Sequence, residues 1–152
     1  MATRSAIGYK TSEGKIRAIY CHWDGQISHN GRILRTSYTD PAKVEQMVEL
    51  GDLSTLGAEI EPTPLEEHRM GTTQKGVCVY YGRDGGEGEG DMIATQEFDT
   101  VPEFVEDMTH MDCDYFYLFN GQDWLVNEYG EMKNGFPVFD YVEVKILQEI
   151  VH

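Results

Sequence analysis

The chain has 152 residues, 27 of them acidic and 12 basic, for a formal charge of −15. A chain of this length folds as one domain that buries roughly 70% of the surface its unfolded form exposes, so no disulfide scaffold is needed. Its longest apolar runs, such as Phe116 to Phe119, are about four residues, far short of the roughly 20 that cross a bilayer. The start from Met1 to Lys10 has no apolar signal region, so the sequence predicts a soluble, unexported protein.

Three cysteines, Cys21, Cys78 and Cys113, are an odd number without paired spacing, which suits reduced thiols better than a disulfide framework or a zinc site. The charge is unevenly distributed. Residues 1–38 hold six bases and two acids, whereas residues 84–131 hold fourteen acids and no Lys or Arg. A segment without cations cannot neutralise its own field by local pairing, so its surface repels nucleic acid over about a Debye length, roughly 8 Å at physiological salt. One reading is a solvated face that keeps the protein dissolved. The other is an imitation of the phosphate backbone presented to a basic, nucleic-acid-binding partner.

In chain order, Ala6 to Thr11 and Lys15 to His22 read as two strands joined around Ser12-Glu13-Gly14. Ile16, Ala18, Ile19 and Tyr20 place apolar groups on both faces, which predicts a central second strand. Trp23-Asp24-Gly25 turns the chain, and Asn30 is a candidate cap for a short helix through Tyr38, with a strand as the alternative. Asp40 as N-cap, Pro41 at the first helical position, the stripe Val44, Met47, Val48 and the stop at Gly51 predict a helix. Gly57 to Gly76 reads as a connection and Val77 to Tyr81 as a strand, followed by a glycine-rich acidic loop from Arg83 to Asp91. Met92 to Phe98 resumes the sheet. Thr100 and Glu103 have capping-box spacing, with Val101, Phe104, Val105 and Met108 at helical intervals up to about His110. Tyr115 to Phe119 and Trp124 to Asn127 flank Asn120-Gly121, a strong hairpin signal. Val138 to about Leu147 reads as a strand, with a helix as the alternative. The class is α+β, one domain over 1–152, with a mainly antiparallel sheet and two or three short helices.

The densest chemical cluster is Tyr20-Cys21-His22-Trp23-Asp24-Gly25, followed by His29, Asn30 and Arg32. Its structural reading makes Asp24 and Gly25 a turn, Trp23 a core plug and His22 a backbone hydrogen-bonder. Its functional reading is an anionic-ligand pocket lined by Arg4, His22, Trp23, Asp24 and Arg35, with Trp23 stacking on a base and the arginines supplying charge-assisted hydrogen bonds. His22 and His29 have no further ligands at metal spacing, and Asp84, Glu87, Glu89 and Asp91 fit no calcium-loop template, so neither a metal nor a cofactor is expected. Gly86 to Gly90 carries acids that would repel phosphate. Cys78 reads as a buried, inert thiol. No nucleophile elbow or familiar Cys and His spacing supports an enzyme. In the band Tyr115, Phe116, Tyr117, Phe119 and Trp124, one strand face enters the core. The other face, beside Asp112, Asp114 and Asp123, predicts an exposed aromatic and acidic surface suited to a protein partner, with Tyr80, Tyr81 and Tyr129 as extensions.

Thr3-Arg4-Ser5-Ala6-Ile7-Gly8, Ile19 to Gly25, Asn30-Gly31 and Leu50-Gly51-Asp52-Leu53-Ser54 resemble motifs of a group of small bacteriophage and prophage proteins, and Tyr81 to Asp84 and Tyr115 to Trp124 are similar too. The resemblance implies a protein made in the cytoplasm of an infected bacterium, where small acidic accessory proteins blunt host defence or redirect host enzymes. The expected function is inhibition of a host protein, basic or nucleic-acid-binding, through an acidic surface that mimics DNA. That surface comprises Asp84, Glu87, Glu89, Asp91, Glu103, Glu106, Asp107, Asp112, Asp114 and Asp123, with no direct nucleic-acid or membrane contact. The alternative is a nucleotide-signal binder or enzyme using the N-terminal pocket.

Overall fold

A computed structural model describes residues 2–64, 68, 69, 71–85 and 94–151, with side chains described as far as Gln148. The first two strands, β1 (Ser5–Lys10) and β2 (Ile16–Cys21), form the expected antiparallel hairpin, in register from Ser5 opposite Cys21 to Lys10 opposite Ile16. Gly14 takes the left-handed conformation in the turn, φ 83°, which a residue without Cβ adopts at no steric cost. β2 is central, as its two apolar faces predict. It pairs with β1 along one edge, while the other edge is shared by β5 (Gln96–Phe98) and β3 (Leu53–Thr55).

β4 (Val79–Tyr80) follows β3 at one end of the sheet. On the other side of β1 lie β6 (Tyr115–Phe119), β7 (Trp124–Glu128) and β10 (Asp140–Tyr141), giving the order β10-β7-β6-β1-β2-β3-β4 with β5 on β2. The β1–β6 and β2–β3 pairs are parallel and the other pairs of this sheet antiparallel, so the fold is α+β with a mainly antiparallel sheet. A separate hairpin is made by β8 (Met132–Lys133) and β9 (Phe136–Pro137).

Helices cover both faces of the sheet. Against one pack α1 (Arg32–Ser37), α2 (Pro41–Glu49) and α5 (Val142–Val151), burying Leu34, Val44, Met47, Val48, Val142 and Ile146 with Ile7, Ile19, Tyr117 and Trp124. Against the other packs α4 (Val101–Thr109), burying Phe104, Val105 and Met108 with Ala6, Ala18, Phe116 and Leu118. Both caps form as predicted: Asp40 Oδ1 accepts from Ala42 N at 3.0 Å, and Thr100 Oγ1 accepts from Glu103 N at 3.3 Å. The end of α2 is tied to the hairpin by Glu49, which takes a two-pronged bond from Arg17 at 2.6 and 2.7 Å and a third from the Tyr9 hydroxyl at 2.7 Å. No helix among the described residues is long and apolar enough to cross a membrane.

Four segments differ from the sequence reading. The tail after Tyr141 is α5 and not a strand, because Val142 and Ile146, four residues apart, both reach the core. Tyr81 leaves the strand and opens the short helix α3 (Tyr81–Gly85), so Arg83 to Gly85 are helical, while the rest of the expected loop to Asp91 and the first two residues of the expected strand from Met92 lie outside the described residues. Asn30 does not cap a helix. It lies inside a π-helical turn, Ile27–Gly31, that runs directly into α1. In the aromatic band, Phe116, Tyr117, Phe119 and Trp124 are all buried and only Tyr115 is half-buried, because helices cover both sheet faces and leave neither for solvent.

Candidate functional site

Three of the five residues of the predicted N-terminal pocket come together at the end of β2. Side chains alternate along a strand, so Tyr20 and His22 share the α4 face of the sheet, and Arg4 reaches that face from the residue before β1. The Arg4 guanidinium lies beside the Tyr20 hydroxyl, whose oxygen is 2.7 Å from His22 Nδ1. Burial, reinforced by the Arg4 charge, holds the His22 pKa below its ordinary value, in keeping with a neutral ring. Burial pushes the Tyr20 hydroxyl up to about 12. Trp23 stands edge-on to His22, ring centroids 4.6 Å apart, and Tyr81 closes the group with its hydroxyl beside the Ser54 side chain.

Below the cluster lies Asp52, which the sequence reading passed over. Its Oδ1 accepts the Tyr20 backbone N–H at 2.9 Å, and it is 3% exposed. Desolvation outweighs that single bond and raises its pKa to about 6. The signal available in the sequence was an acid flanked by Gly51 and Leu53 immediately before a buried strand.

Trp23 is not a core plug. It is 45% exposed, because the chain leaves the sheet after Cys21 and Asp24 takes a left-handed φ of 57°, while Cys21 and Ile27 fill the core there. Asp24 and Gly25 do form the turn, and Asp24 is exposed. Gly25 is required, since a Cβ would come within 2.8 Å of the Ser5 Cβ. His22 bonds Tyr20 through its ring, and its backbone N–H pairs with Leu53 O. Arg35 lies elsewhere, bound to Glu143 of α5 at 2.7 Å.

The acids of the predicted surface are also divided. Asp84 is buried: both of its oxygens receive Arg83, Oδ2 accepts Tyr80 N at 2.9 Å, and His68 Nε2 lies 3.5 Å away. It therefore belongs to the interior and is removed from the surface set. Glu87, Glu89 and Asp91 lie outside the described residues. Glu103, Glu106 and Asp107 are exposed on α4, and Asp112 is exposed in the turn after it, with φ 62°. Asp114 is half-buried just before β6, and Asp123 is exposed in the β6–β7 turn at the opposite end of that strand.

A feature the sequence reading missed adjoins α4. β9 packs on that helix, and the β8–β9 hairpin together with the turn before it exposes Tyr129, Met132 and Phe136, at 69, 50 and 53%. Asn134 and Gly135 both have positive φ, 54° and 78°, the two-residue hairpin conformation that Asn-Gly favours, so this third Asn-Gly pair was the missed signal.

The three thiols are buried and their pKa values are raised by desolvation, that of Cys21 to about 12. Among the described residues no group of three or more His, Cys, Asp or Glu side chains is placed to hold a metal ion. Compared with protein-family models, curated proteins and solved structures, the chain gives no significant match to any of the three.

Proposed function

We propose that this protein acts by binding a basic host protein, one that handles nucleic acid or serves in defence, and that it blocks that protein in an infected bacterium, as a bacteriophage accessory protein does. The observation that carries the reading is the juxtaposition of exposed acids on α4 with exposed Tyr129, Met132 and Phe136 on the hairpin packed beside it. An apolar centre with a charged rim is the make-up of a protein interface, and the rim's sign selects a basic partner. Capture from bacterial lysate tests it. The retained protein is displaced by duplex DNA and by salt, and is lost when Glu103, Glu106 and Asp107 are all changed to Lys. A retained protein indifferent to all three treatments argues against the reading.

A second reading is favoured by one observation at Arg4. In a chain with more than twice as many acids as bases, this half-buried guanidinium has no carboxylate within 4.0 Å among the described residues and lies beside the neutral Tyr20 hydroxyl instead. Arg4 and the His22 ring would together receive a small anion, and loss of anion binding in Arg4→Ala would identify the site.

A further inference from the structure

A cleft of about 500 Å³ is lined among others by His29, Ile33, Ser54, Thr55, Leu56 and Lys75. Its volume suits a small molecule, and among the described residues that line it none is acidic, although 27 of the 152 residues of the chain are. One base, one imidazole and several hydroxyls among these residues offer an anion positive charge and hydrogen-bond partners.

The imidazole is held in one orientation by a chain of hydrogen bonds. The Cys21 thiol gives its single proton to Trp23 O at 3.6 Å, so its sulfur can only accept from Asn30, whose Nδ2 lies 3.4 Å away. The same amide nitrogen donates to Ser5 Oγ at 3.2 Å. Asn30, which is fully buried, must therefore present Oδ1 to His29, and His29 Nδ1 meets it at 2.9 Å as the donor. The proton of the neutral ring is thus fixed on Nδ1, and Nε2 is left as an acceptor in the ring that lines the cleft. This pair sits in the π-helical turn Ile27–Gly31, a rare geometry that recurs at functional sites and here lets two consecutive side chains meet.

We infer that the cleft binds a small phosphate-bearing molecule with a hydroxyl or N–H donor, of the class of a nucleoside monophosphate. His29 Nε2 accepts from the donor and Lys75 faces the phosphate. The described lining contains neither Arg4 nor any residue of α4, so its failure leaves the partner reading untouched.

The test is titration of the ¹⁵N-labelled protein with AMP, GMP, CMP and UMP, reading the His29 ring. Before any addition, the ring is in the Nδ1–H form. At least one nucleotide gives a saturable shift of the ring nitrogens, and its affinity falls about tenfold, the weight of one hydrogen bond of roughly 1.4 kcal/mol, in His29→Ala and falls also in Lys75→Ala, a change at an exposed position that leaves the fold intact. An Nε2–H ring, no saturable shift with any of the four at millimolar concentration, or equal binding of inorganic phosphate would each overturn the inference. Binding lost in Arg4→Ala but kept in His29→Ala would do the same, by placing the ligand at Arg4.

Discussion

Arg83 clasps the carboxylate of Asp84, with Nε 3.0 Å from Oδ1 and Nη2 3.1 Å from Oδ2, and the same guanidinium donates to Ile60 O and Cys78 O. The pair thereby pins the connection after β3 to the start of α3. His68 strengthens the knot: Gln74 N donates to its Nδ1 at 3.1 Å, so Nε2 carries the proton that goes to Cys78 O at 2.9 Å. Removing one member of a buried pair strands the other, so Asp84→Ala is expected to cost about 3 kcal/mol or more. Denaturant unfolding measures this. A loss below about 0.5 kcal/mol, the range of ordinary surface changes, would return Asp84 to the surface.

The two tryptophans give opposite expectations. Trp124 is buried and its Nε1 donates to Tyr38 O at 2.9 Å, so Trp124→Ala loses about 3 to 5 kcal/mol. Trp23→Ala leaves stability within about 1 kcal/mol of the parent, because its ring is nearly half exposed. Melting curves of the two variants compared with the parent decide it, and a large loss in Trp23→Ala would contradict the turn geometry after Cys21.

Asp52 makes stability depend on pH in an identifiable direction. Its pKa is about 6 when folded against an ordinary value of 3.8, so between about pH 4 and pH 6 the folded state holds a proton that the unfolded state has released. Stability from this group is therefore full below about pH 4, falls as pH rises to about 6, and stays lost above; a shift of about two units corresponds to about 3 kcal/mol. Asn at this position keeps an oxygen for Tyr20 N and has no proton to release. Asp52→Asn is expected to be more stable than the parent at pH 7 and nearly equal to it at pH 4. A constant difference at both pH values would show that Asp52 does not titrate in this range.

The sequence revealed those parts whose signals are local. The β1–β2 hairpin, α2 and α4 each combine a turn or cap with an unbroken apolar period, and each formed close to its expected bounds. What failed depended on neighbours distant in the chain. Val142 and Ile146 suit a strand face or a helix stripe equally, and only the core against β7 selects α5. The aromatic band gave no sign that both of its faces would be covered, since α4 and α5 approach from opposite sides. At the site, Tyr20, His22 and Trp23 are close in sequence and were legible as a cluster. Arg35 was not separable from Arg4 until Glu143, more than 100 residues away, was placed beside it. The His29 and Asn30 relay was hidden for the same reason, as it requires Ser5 and Cys21.

Apolar and acidic parts of the proposed interface should contribute separately. Phe136→Ala and Met132→Ala remove exposed area, leave the fold within about 0.5 kcal/mol of the parent, and weaken partner binding chiefly through faster dissociation. The triple change of Glu103, Glu106 and Asp107 to Lys instead slows association and abolishes its salt dependence. Stopped-flow or surface-based kinetics at two salt concentrations distinguish the two effects. Identical kinetics in all variants would remove both patches from the interface.

Hydrogen-exchange footprinting of the protein with its captured partner tests the central claim most directly. Protection concentrated on α4 and on residues 129–136, weakening as salt is raised, is the predicted result. Protection confined to other elements, with α4 and the β8–β9 hairpin exchanging as in the free protein, would contradict it.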